Sequence, residues 1–147
     1  MDLFTNAVLT ASSVLLFSYW FRYACLLILA AELPHDHSDE VAEANQLAFP
    51  EVHAKLRQHD VGELDCLHAC LERDFAILAH LLEQTHTATF NPSFEDVMLR
   101  IHFRSLSACF RLTNRKLQKS SAAALEEMSR VVTHLANQLG ERSATAH

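Results

Sequence analysis

The sequence predicts an all-α protein: an N-terminal single transmembrane helix followed by a small antiparallel helical bundle of about four helices. Three observations predict it. Only two glycines and three prolines occur in 147 residues, so the turn-formers that strands and hairpins need at short intervals are missing. Beyond residue 60 the apolar residues recur at alternating three- and four-residue steps, the spacing of one helix face. The stretch Leu3–Phe21 is an uncharged 19-mer, close to the roughly 20 residues that cross a hydrocarbon core.

The apolar segment comes first. Between Leu3 and Leu33 the only charges are Arg22 and Glu32. The polar residues Thr5, Asn6, Thr10, Ser12, Ser13 and Ser18 are mild and can bond to the helix backbone. Tyr19, Trp20, Phe21, Arg22 and Tyr23 place four aromatics around one arginine, a composition suited to the headgroup layer and read here as an interfacial anchor. The following Ala24–Ala31 is apolar again. It is expected to leave the bilayer and to pack on the bundle or on another subunit. A span shifted to Val14–Ala31 would bury Arg22, at a cost of about 3 kcal/mol unless it is paired.

Other readings of the segment fit less well. A cleaved signal peptide has a basic start, whereas only Asp2 and the terminal amine precede this run. A lipoprotein signal has small apolar residues before its cysteine, but Cys25 follows Arg22-Tyr23-Ala24. A buried core helix is seldom this long and apolar with one aromatic-arginine cluster. Arg22 lies on the C-terminal side of the span, so the positive-inside rule puts the N-terminus outside and the bundle in the cytoplasm of a bacterial-type inner membrane. The four cysteines (Cys25, Cys66, Cys70, Cys109) show no spaced framework, which reads as free thiols in a reducing compartment. The expected organisation is 1–33 as span and juxtamembrane extension, 34–140 as bundle, and 141–147 as a flexible tail.

Pro34 breaks the first helix. Ser38 or Asp39 can cap a second, running to about Ala48. Pro50 suits the start of a short helix, Glu51–Gln58. A third runs from about Glu63 to Gln84, with Leu64, Leu67, Leu71, Phe75, Leu78 and Leu82 as its seam. Ser93 caps a fourth, with Glu95 and Asp96 in its first turn. That helix is expected to reach Lys119, with Leu99, Phe103, Leu106, Phe110 and Leu117 on its apolar side. The last helix, Ser121–Leu139, carries Leu125, Met128, Val132, Leu135 and Leu139, and Gly140 is placed to stop it.

Charge is uneven. Residues 32–99 hold fourteen acidic against three basic side chains, and residues 100–147 hold eight basic against three acidic. One helix should complement another inside the bundle, or the basic stretch meets an external anion. Arg100, Arg104, Arg111 and Arg115 fall within an arc of about 60° at 100° per residue, away from Phe103 and Phe110. Such a face can grip an anion or a partner, or pair internally with Asp65, Glu72 and Glu83. The acidic overall balance argues against nucleic acid.

Ten histidines raise the question of metal. Asp65-x-x-His68 and Glu83-x-x-His86 resemble carboxylate-histidine ligand pairs, but they lie on one helix about 27 Å apart and cannot share a metal pair. Cys66 and Cys70 share a helix face from which His68 points away. His35, Asp36, His37, His53 and His59 read best as solvated turns. Glu95-Asp96 and Glu126-Glu127 sit near expected helix starts, where a dipole role suffices. No metal or cofactor site is expected. With no phosphate-cradling loop or nucleophile elbow, the chain reads as a membrane-anchored subunit, assembly factor or scaffold. Its expected partners are the lipid bilayer and a protein or second copy met through Ala24–Ala31 and the bundle surface. Alternatives are a bundle binding a metal or haem-like cofactor through its histidines, and a sensor of anionic membrane surfaces.

Overall fold

A computed structural model describes residues 2–31, 35–58, 62–85, 93–114 and 116–145. Among them the chain is helical without a strand, in six helices: α1 (Asp2–Ala30), α2 (Ser38–Asn45), α3 (Phe49–Arg57), α4 (Leu64–Thr85), α5 (Phe94–Thr113) and α6 (Gln118–Thr145). The chain divides into two compact units, 1–31 and 32–147.

The first unit is α1. Its 29 residues extend about 44 Å at 1.5 Å per residue, more than a hydrocarbon core of about 30 Å requires. It is long and apolar enough to cross a membrane, and residues 2–20 are exposed all round. Three of its hydroxyls are satisfied within the helix, as the sequence suggested. Thr10, Ser13 and Ser18 each donate to the carbonyl four residues earlier (Asn6, Leu9 and Val14) at 2.8 Å, which removes the cost of carrying a bare hydroxyl into lipid. Phe17 packs against Trp20 and Phe21 with ring centroids 6.4 and 6.2 Å apart.

The second unit is organised by α6, which contacts α2, α3, α4 and α5. All six seam leucines and phenylalanine expected on α4 are buried, as are Leu99, Phe103 and Phe110 of α5 and all five expected residues of α6. Phe75 and Phe103 stack with centroids 4.0 Å apart and planes 4° from parallel. Glu83 pairs with Arg100 and Glu72 with Arg111, so α4 and α5 run antiparallel.

Three expectations are corrected. The fourth helix ends at Thr113 instead of reaching Lys119. At its end the Asn114 side chain donates to Asp65 on α4, and a turn follows with Leu117 N–H on Thr113 C=O at 2.9 Å. Leu117 is therefore 58% exposed and does not belong to the seam. Gly140 does not stop the last helix, which continues through 141–145, the segment expected to fray. It is a buried interior position where a Cβ would stand 2.4 Å from the His37 Cβ and 3.4 Å from Val41, so its lack of a side chain lets α2 approach. Arg142, in this last stretch, pairs with the buried Asp96 at 3.1 Å. Finally, the cap of α2 comes from Asp36 and not from Ser38 or Asp39. The Asp36 carboxylate accepts the Ser38 N–H at 3.1 Å and the Ser38 hydroxyl at 2.6 Å. These bonds hold its pKa below the usual carboxylate value.

Candidate functional site

The predicted arginine row lies along a trough between α4 and α5. Two ion pairs close its ends: Arg100 to Glu83 at 2.7 Å and Arg111 to Glu72 at 2.9 Å. Glu72 to Glu83 and Arg100 to Arg111 are each eleven residues, so the ends are about 16 Å apart, three turns on each helix. Between these pairs the trough is lined by Ala76 and Ala79 of α4 and by Arg104 and Ala108 of α5. Alanine cannot fill this middle layer, and a half-open space of about 570 Å³ remains, walled by Ala76, Ala79, Ala108 and the edges of Phe75 and Phe103. Arg104 makes no ion pair or hydrogen bond among the described residues, and Arg115 lies outside them.

At one end of the trough is a relay that starts from the buried His68 and Ser107 and ends on the more exposed Glu72 and Arg111. His68 Nε2 lies 2.9 Å from Ser107 Oγ, and Ser107 Oγ donates to Glu72 Oε1 at 2.6 Å. Arg111 donates to both oxygens of Glu72, at 2.9 and 3.2 Å. The serine has one proton and gives it to Glu72, so its oxygen accepts from His68, assigning the proton of His68 to Nε2. This order is the reverse of a nucleophile dyad, where histidine takes the serine proton. Burial pushes the Glu72 carboxyl up, but the Ser107 hydroxyl, His68 and Arg111 outweigh it and hold the pKa below the usual range. A carboxylate so stabilised is a poor base. The His68 ring stacks on Phe110 at 4.4 Å, so the relay locks α4 to α5.

The remaining candidates are dispersed. His102 pairs with Glu127 at 2.9 Å, both largely buried. Glu127 therefore sits inside α6 as a core partner, not near a helix start. His53 Nδ1 lies 3.3 Å from Ser129 Oγ on α6, and His37 abuts Glu40 and, through its Cβ, Gly140. His59 and His86 lie outside the described residues, among which no three His, Cys, Asp or Glu side chains cluster to hold a metal. None of the four cysteines is in a disulfide. Burial first, and then the neighbouring Cys66, push the Cys70 thiol up, so it is not an activated thiolate.

Burial lowers the pKa of His53, His68 and His134 alike. In the unfolded chain these groups titrate near about 6.5. Below that pH the unfolded chain binds protons that the folded one refuses, so stability falls with decreasing pH. The depressed Asp36 and Glu72 carboxyls extend the loss below about pH 4.5, where their unfolded forms protonate. The melting midpoint should therefore drop from pH 7 to pH 5, and His134→Gln should flatten that slope. A midpoint that is constant or rises over this interval would contradict the assignment.

One surface feature escaped the periodicity argument. Phe94, Val97, Ile101, Ala108 and Leu112 fall within an arc of about 60° on α5, beside the arginine row. Phe94, Ile101 and Leu112 are 73, 50 and 79% exposed. Helix α5 thus has a core face and a second apolar stripe. Its signal was the number of apolar residues in the helix, more than one face can hold. Comparison with protein-family models, curated proteins and solved structures finds no match.

Proposed function

We propose that this protein is a membrane-anchored helical bundle acting by protein-protein contact, as a small subunit, assembly factor or scaffold of a membrane complex. The observation that carries the reading is the exposed stripe of Phe94, Ile101 and Leu112. An exposed apolar stripe flanked on one side by the arginine row suits a protein interface, where an apolar centre and a polar rim exclude water. The apolar α1 supplies the anchor, with Tyr19, Trp20, Phe21, Arg22 and Tyr23 at the headgroup layer and Ala24–Ala31 as a further contact. In this reading the N-terminus is outside a bacterial-type inner membrane and the bundle is cytoplasmic, following Arg22.

The test is the size of the protein in native membranes. The chain should stay in the pellet after alkaline carbonate extraction. In mild detergent it should then migrate as a complex larger than its monomer. Replacing Ile101 and Leu112 together with glutamate should collapse that complex to the monomer while helix content is unchanged. Release by carbonate would remove the anchor from the proposal. A wild-type chain migrating as a lone monomer, or a double variant that leaves the complex intact, would remove the contact.

A further inference from the structure

The trough between α4 and α5 has a missing rung. Carboxylate-guanidinium pairs stand at its two ends, Glu72 with Arg111 and Glu83 with Arg100. Arg104, one turn from Arg100, repeats the cation, but the residue one turn from Glu83 is Ala79, so no carboxylate completes the series there. The space left by the short side chains is about 570 Å³, and His80 lines it next to Ala79. Gln84 Nε2 lies 3.1 Å from His80 Nε2, which leaves Nδ1 as the proton-bearing nitrogen of the neutral ring.

From this arrangement we infer that the middle of the trough is a binding site for a small organic oxyanion, a carboxylate or phosphate monoester with a short apolar body. Arg104 takes the anionic head in the bidentate geometry that guanidinium favours. His80 offers a second donor across the trough. Ala76, Ala79 and Ala108 receive the apolar body, and the ion pairs at either end limit its length to about 16 Å. The volume lies within the range of ligand sites. The site shares Ala108 with the edge of the stripe on α5 but uses neither Ile101 nor Leu112, so the two are tested by different substitutions.

The full chain in phosphatidylcholine nanodiscs provides the test, with the arginine Nε–Hε resonances followed by NMR. Hexanoate should shift one of them saturably, and at least about fourfold more tightly than acetate, the gain from burying a single methylene. The shift should vanish in Arg104→Gln. It should also vanish in Ala79→Glu, which supplies the missing carboxylate from within and whose melting midpoint should not fall. Phenyl phosphate and inorganic phosphate complete the set: tighter binding of hexanoate assigns a carboxylate ligand, and tighter binding of phenyl phosphate a phosphate monoester. Non-saturating shifts, equal affinity for acetate and hexanoate, or a response surviving both substitutions would overturn the site.

Discussion

Gly140→Ala should destabilise the bundle by about 1–2 kcal/mol, although helix propensity taken alone predicts a gain of about 1 kcal/mol. The two expectations differ in sign, which makes the experiment decisive. Gly140 lies inside α6 and not at its end, so an alanine there would ordinarily stiffen the helix. Its added Cβ, however, would meet the His37 Cβ at 2.4 Å. That atom is fixed to the backbone of the α2 entry and cannot swing aside as a long side chain's end can. Relief requires α2 to move away from α6. The same segment is tied to α6 by the His37 N–H, which donates to Asn137 Oδ1 at 2.8 Å, and that bond would lengthen with it. Gly140→Leu should cost about 3 kcal/mol or more, since its extra volume has no room. Urea unfolding of the full chain in neutral detergent, followed by circular dichroism, measures both. A stabilised Gly140→Ala would mean that α2 does not pack there.

Asp74→Ala should cost about 3 kcal/mol. Asp74 is fully buried, and its Oδ2 accepts the Ala48 N–H at 2.7 Å, at the residue that precedes α3. This is a cap supplied from another helix: a side chain on α4 satisfies a donor that the start of α3 leaves without an intrahelical partner. The adjacent Arg73 donates to Asp74 Oδ1 at 3.2 Å and to the Gln46 carbonyl at 3.3 Å. Gln46 holds the left-handed conformation, φ 53°, that ends α2. One carboxylate therefore anchors the whole turn from α2 to α3. Arg73 is 57% exposed, so Arg73→Ala should cost less than about 1 kcal/mol. Hydrogen exchange at the Ala48 amide should accelerate in Asp74→Ala and stay slow in Arg73→Ala. Equal effects of the two substitutions would show that the buried carboxylate is not the anchor.

Both results concern residues whose importance was only half legible. Asp74 occupies an inward position of the α4 seam, between Leu71 and Leu78, so the three-four spacing already turned it toward the core. What it would meet there was not written in α4. Asp96 repeats the case on α5. As a first-turn acid it favours the helix dipole, but its buried pairing with Arg142 depends on α6 running past Gly140.

The arginine row shows the division most clearly. Spacing alone put Arg100, Arg104 and Arg111 on one side of a helix, because a helix turns by a fixed angle per residue. Whether each cation is paired depends on the facing residue of α4, and that follows from a packing register no local pattern contains. Two pair with glutamates, and Arg104 lines the trough with alanines. The end of α5 is a similar matter. No glycine or proline marks residues 113–117, and the Asn114–Asp65 contact at that end joins helices distant in sequence.

By itself, then, the sequence determined the all-helical class, the seam residues of α4 and α6, and an N-terminal helix apolar enough to span a membrane. Each of these rests on the period of a single helix or on the transfer of one segment from water, and both are properties of neighbouring residues. Tertiary structure alone decided the length of α5 and α6, the role of Gly140, the anchor at Asp74 and the pairing of Arg100 and Arg111 but not, among the described residues, of Arg104. These depend on which side chains meet across helices, and contact between residues far apart in the chain exists only once the bundle has closed.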